Sequence, residues 1–115
     1  MVLAAIRVMI VDDHPVTREG LFAALDLAND VVVVGEADSG ENAVAEARKL
    51  TTDIVFMAAR MPGMSGIDAT KAISVASPTT KVILFRVDES QASISEAIQA
   101  GVFGYLLNNP SADLS

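Results

Sequence analysis

Short apolar runs and helix-period segments alternate along this chain. Val8 to Val11 is wholly apolar with no internal turn signal, and reads as a strand buried on both faces. Pro15 suits the first turn of a helix running to about Leu27, with Leu21, Ala24, Leu25 and Ala28 as its apolar stripe. Val31 to Val34, four β-branched residues, predicts a second strand closed by Gly35 and Asp38-Ser39-Gly40. Asp38 or Ser39 caps a second helix, Glu41 to Leu50, with Val44, Ala47 and Leu50 inward. Asp53 to Ala58 is a third strand with Ile54, Val55, Phe56 and Met57 as its buried body. A Pro62-Gly63 turn follows, and Ser65 caps a third helix that carries Ala69, Ala72, Ile73 and Ala76 on one face and ends at Pro78. Lys81 to Phe85 is a fourth strand. Glu89 to Ala100 is a fourth helix with Ile94, Ala97 and Ile98 inward, stopped by Gly101, and Val102 to Leu107 is a fifth strand.

This alternation with short loops predicts one α/β domain over residues 1–115, a doubly wound parallel five-stranded sheet. Right-handed crossovers favour the flavodoxin-like order 2-1-3-4-5, with strands 1 and 3 side by side at the switch point. Only Asn108 to Ser115 follow the last strand. Ser111-Ala112-Asp113 resembles the start of a fifth helix, so most of that helix is expected to be missing from the chain.

Composition narrows the function classes. The chain is 51% apolar, as a folded domain requires, and has no cysteine for thiolate chemistry or disulfides. Its 8 basic and 15 acidic residues give a net charge of −7, which disfavours direct contact with nucleic-acid phosphates. The apolar start, Met1 to Ile6, lacks the basic lead of a signal peptide and is interrupted by Arg7. No run approaches the roughly 20 apolar residues of a membrane span. A cytoplasmic location and no membrane partner are expected.

The chemistry gathers where the first strand stops at Asp12-Asp13. Ligands of open α/β sheets sit at that strand edge. Two adjacent carboxylates repel each other and need a cation, a guanidinium or water. The plainer alternative is that Asp13 or His14 caps the next helix. His14, the one histidine, reads as a cap or surface residue rather than a metal ligand.

Several stretches together carry a family resemblance. Val11-Asp12-Asp13-His14-Pro15, Arg18-Glu19-Gly20-Leu21, Val34-Gly35-Glu36-Ala37, Arg60-Met61-Pro62-Gly63-Met64-Ser65-Gly66, and Ala100-Gly101 through Gly104-Tyr105-Leu106-Leu107 resemble receiver domains of the NarL/FixJ (LuxR-type) response regulators. The resemblance implies an acidic pair that holds Mg²⁺ and an aspartate after strand 3 that accepts a phosphoryl group from a histidine kinase. It further implies a Thr or Ser after strand 4 and a Lys after strand 5 for the phosphate oxygens, and an aromatic switch in strand 5. Asp12 and Asp13 match the acidic pair, Tyr105 the switch, and the Arg60 carbonyl the third metal contact. The phosphoacceptor position, however, is Ala58, the Thr/Ser position is Arg86, and the Lys position is Asn108.

A methyl group neither attacks phosphorus nor binds metal, so an atypical receiver is expected, with no catalytic residue and no cofactor. Mg²⁺ binding at Asp12, Asp13 and the Arg60 carbonyl is expected to be weak or lost. Arg86 is placed to reach across to Asp12 or Asp13, and its bulk favours an outward or intermediate Tyr105 ring. The resemblance implies a regulatory module of a transcription regulator, forming a homodimer or a heterodimer with another response regulator. DNA would be met only through a C-terminal helix-turn-helix domain not present here. The alternative is a sensor taking a small ligand in the pocket vacated at Ala58. An enzymatic reading, such as residual phosphorylation of Asp12, Asp13 or Asp53, lacks a carboxylate at the strand 3 position.

Overall fold

The computed structural model describes residues 4–108. Its elements are β1 (Ile6–Val11), α1 (Pro15–Asp26), β2 (Val31–Ala37), α2 (Gly40–Lys49), β3 (Ile54–Ala58), α3 (Gly66–Ala76), β4 (Lys81–Val87), α4 (Gln91–Ala100) and β5 (Gly104–Leu107). All four strand pairings are parallel and the sheet order is β2-β1-β3-β4-β5, as the alternation predicts. The expected fifth helix falls outside the described residues.

Side-chain alternation divides the sheet into two faces. Met9, Val11, Val55, Met57, Val82 and Leu84 point to one side, where Ala43 and Ala47 of α2, Ala69 and Ile73 of α3, and Ala97 of α4 close over them. Small helix residues let the helices approach the branched strand residues closely. Burying a side chain such as Leu84 contributes about 1.5–3 kcal/mol. Val8 and Ile10 point the other way and are also buried. On that face, α1 packs against β1 and β2 but buries no residue. Leu21, Leu25 and Ala28 of its predicted stripe are half-buried and Ala24 is exposed.

Helix starts follow the sequence signals. Ser39 accepts a hydrogen bond from the Asn42 N–H, and Ser65 from the Asp68 N–H. Ser90 caps α4 through the Ser93 N–H, and the helix starts at Gln91, two residues after the start expected at Glu89. Gly101 ends α4 at φ 96°, a left-handed turn that glycine enters without steric cost.

Three expectations need correction. Ile98 is 58% exposed rather than inward. Ala97 occupies the seam against the sheet, and about 100° of rotation per residue carries Ile98 away from it. β2 does not close at Gly35 but runs to Ala37. Val8 pairs with Val33 and Met9 with Gly35, so Val34 is an extra residue absorbed as a bulge beside glycine. β4 likewise passes Phe85 and continues to Val87.

Candidate functional site

Strand polarity brings the C-terminal ends of β1, β3, β4 and β5 to one edge of the sheet. Asp12 follows β1, Ala58 ends β3, Arg86 is the penultimate residue of β4, and Asn108 follows β5. Backbone hydrogen bonds fix these ends: Asp12 N–H to the Ala37 carbonyl at 3.1 Å, Ala59 N–H to Phe85 at 2.9 Å, and Asn108 N–H to Val87 at 2.7 Å.

Asp12 is fully buried and Asp13 keeps 25% of its side chain exposed. His14 occupies the N-cap position of α1, but its side chain caps nothing. Instead its backbone N–H donates to Asp12 Oδ1 at 2.8 Å, and its ring Nδ1 lies 2.9 Å from the same oxygen. A ring protonated on Nδ1 donates there. Arg18, from the first turns of α1, donates from Nη1 to the Asp12 carbonyl at 2.6 Å, and its Nε lies 3.5 Å from Glu36. Asp13 Oδ1 is shielded from solvent and accepts no hydrogen bond, with His14 Nδ1 3.3 Å away.

The other oxygen of Asp12, Oδ2, accepts a hydrogen bond from Arg86 Nη2 in a charged pair. A bulge directs Arg86 there. Leu84 pairs with Tyr105 and Val87 with Leu107, so two β4 residues stand opposite one β5 residue. The extra residue returns Val87 to the core face with Leu84. Arg86 absorbs the irregularity at φ 56°, a left-handed conformation that costs a non-glycine residue about 1–2 kcal/mol. Its guanidinium also lies 5.3 Å from the centre of the Phe85 ring, a cation–π contact.

Burial works most strongly against ionising Asp12, but it is outweighed. The His14 N–H and ring and the Arg86 guanidinium together hold the carboxyl below its ordinary range. Asp12 is therefore a charged group in a site where desolvation alone would neutralise it.

Ala58 is fully buried at the end of β3. Gly66 packs so tightly here that an added Cβ would sit 2.2 Å from the Ala58 carbonyl oxygen. Arg60, exposed on the loop after β3, forms an ion pair with Asp88 on the loop after β4. That bridge, the Arg18 contact and both His14 contacts were not legible beforehand, because each joins residues by loop geometry rather than by spacing. Asn108 is exposed, and Tyr105 is 36% exposed.

Asp12, Asp13 and His14 offer one ligand atom each within 4.8 Å of one another, the spacing of a cation site. Yet both Asp12 oxygens already accept hydrogen bonds, and the β3 position supplies only a methyl group. Mg²⁺ demands a near-octahedral set of oxygen ligands. This donor set does not fit it.

Two clefts lie elsewhere. One of about 560 Å³ is lined by Arg18, Glu36, Ala37, Asp38, Asn42 and Glu46. Another of about 380 Å³ is lined by Gln91, Ile94, Ser95, Ile98 and Gln99 of α4. Neither is lined by Ala58 or Arg86.

Residues 8–112 match the family model of the response regulator receiver domain. The chain belongs to that family. It is 39% identical over 108 residues to the transcriptional regulatory protein LnrK of Bacillus subtilis, covering 94% of this chain and 49% of that protein. The receiver domain of the putative response regulator NarL from Mycobacterium tuberculosis superposes with a TM-score of 0.86 at 35% identity, covering 97% of this chain and 95% of that one. RcsB from Salmonella enterica serovar Typhimurium, solved bound to the promoter rprA with the phosphomimetic BeF3⁻, superposes with a TM-score of 0.81 at 26% identity, covering 95% of this chain and 63% of that one. The chain spans about half the length of the curated relatives it matches. Among the described residues no helix is long and apolar enough to cross a membrane.

Proposed function

We propose that this receiver works without phosphorylation, as a cytoplasmic dimerisation or interaction module of a transcription regulator. One observation carries the reading: the buried end of β3 presents the methyl group of Ala58 where phosphoryl transfer needs a carboxylate. Arg86 supports it. Its guanidinium neutralises Asp12 with a group the chain carries itself, so the pocket has a resting charge state independent of kinase. The net charge of −7 favours a protein partner, a second copy or another response regulator, over direct DNA contact. DNA would be reached through another domain. A small ligand in the vacated pocket is the weaker reading, because Arg86 extends across that space to Asp12.

The test is incubation with a small phosphoryl donor and Mg²⁺, followed by intact mass. No phosphoryl adduct is expected. A stoichiometric adduct, mapped to any aspartate of the pocket, would overturn the reading.

A further inference from the structure

We infer that Arg86 is the resident cation of this pocket, and that it excludes divalent metal in its own right rather than merely accompanying the loss of the Ala58 carboxylate. This rests on the reading of the pocket as phosphate-blind and names the residue that keeps it so.

Three ligand atoms on Asp12, Asp13 and His14 lie within 4.8 Å, and Asp13 Oδ1 is enclosed with no hydrogen-bond donor. Such a cluster attracts a cation. The chain supplies one from β4. Arg86 reaches Asp12 Oδ2 across the sheet edge, and three features hold it there: the ion pair, the Phe85 ring at 5.3 Å, and the bulge at φ 56°. The backbone adopts a costly conformation here while the guanidinium meets a fully buried carboxylate. A tethered cation competes at a fixed effective concentration, however much metal is present. A metal ion must displace the guanidinium before it gains Asp12 Oδ2, and Asp12 Oδ1 stays committed to His14. Replacing Ala58 with a carboxylate adds a ligand but still leaves the guanidinium on Asp12 Oδ2 to be displaced.

The experiment is a Mn²⁺ titration followed by paramagnetic broadening of the Asp12, Asp13 and His14 amides at neutral pH. It compares the natural chain with Ala58→Asp, Arg86→Asn, Arg86→Lys and Ala58→Asp/Arg86→Asn. Asparagine tolerates left-handed backbone and so separates the lost charge from the bulge. Arg86→Asn is expected to bind Mn²⁺ about tenfold or more tightly than the natural chain, and the double variant more tightly still. Ala58→Asp alone and Arg86→Lys are expected to stay well short of those two. Should Arg86→Asn fail to fold, Arg86→Gly removes the side chain and the backbone strain together. A folded Arg86→Asn or Arg86→Gly that binds no better than the natural chain overturns the inference. So does an Ala58→Asp chain that binds as tightly as the double variant. Failure of the phosphate-blind reading shows separately, as a phosphoryl adduct on the natural chain.

Discussion

Asp12 and Ala58 stand at the ends of neighbouring strands, and both are 0% exposed. One is a charged carboxylate and the other a methyl group. The β1 rim keeps its acid because the fold surrounds it with donors: the His14 N–H and ring on one oxygen, Arg86 on the other, Arg18 on the carbonyl. The β3 rim carries no charge and needs no counter-charge, so packing and backbone hydrogen bonds define it. Equal burial thus leads to opposite chemistry, and partners decide which a position holds. The β1 rim supplies the charge, and Arg86 near the end of β4 answers it with a guanidinium.

The difference between the rims is open to attack by substitution. The largest effect is expected at the β3 rim, where Gly66 packs against backbone atoms. Gly66→Ala places a Cβ 2.2 Å from the Ala58 carbonyl oxygen and 2.9 Å from the Ala59 Cα, both backbone atoms that cannot swing aside. Urea unfolding should show a loss of about 3 kcal/mol. A loss below ~1 kcal/mol would mean that this rim is loosely packed.

Asp12→Ala comes next. It strands the His14 N–H and leaves Arg86 without its carboxylate. Because Arg86 is 38% exposed and regains water, the expected loss is about 2 kcal/mol, below the 3–5 kcal/mol of a fully buried pair. An Asp12→Ala chain as stable as the natural one would show that the donors around Asp12 do not stabilise the rim.

A third contrast is in pH. The folded-state pKa of Asp12 is depressed, so its contribution is present above the unfolded value of about 3.9 and is lost as pH falls through the lower folded value. Stability of the natural chain should fall more steeply below about pH 4 than that of Asp12→Ala. Parallel acid limbs in the two chains would remove Asp12 as the cause.

How much of this was legible beforehand divides along the same line. The strand order follows from alternating periods, and the positions of Asp12, Ala58, Arg86 and Asn108 at one edge follow from strand polarity. What escaped reading depends on local geometry. Nothing in Lys81 to Phe85 announces that β4 continues through a bulge, and without that bulge Arg86 and Val87 would exchange faces. Ile98 was misplaced because its hydrophobicity fits a core stripe, while the seam was already filled by the alanines of α4. The twofold use of His14 against Asp12 is a turn geometry that spacing does not encode.

The smallest effect is expected at the exposed bridge. Arg60 and Asp88 are 70% and 41% exposed, so Arg60→Gln should cost under ~0.5 kcal/mol and less still in high salt. A loss comparable to that of Asp12→Ala would show that the loops above β3 and β4 are held as firmly as the buried rim.

The central claim is that the pocket has its own counter-ion and does not answer to phosphate. The most direct measurement is the two-dimensional amide spectrum of the natural chain, titrated with Mg²⁺ and then with beryllofluoride. The account predicts no saturable shifts at Asp12, Asp13 or Tyr105 in either step. Saturable shifts at those residues would show that metal or a phosphoryl mimic enters the pocket, and would contradict it.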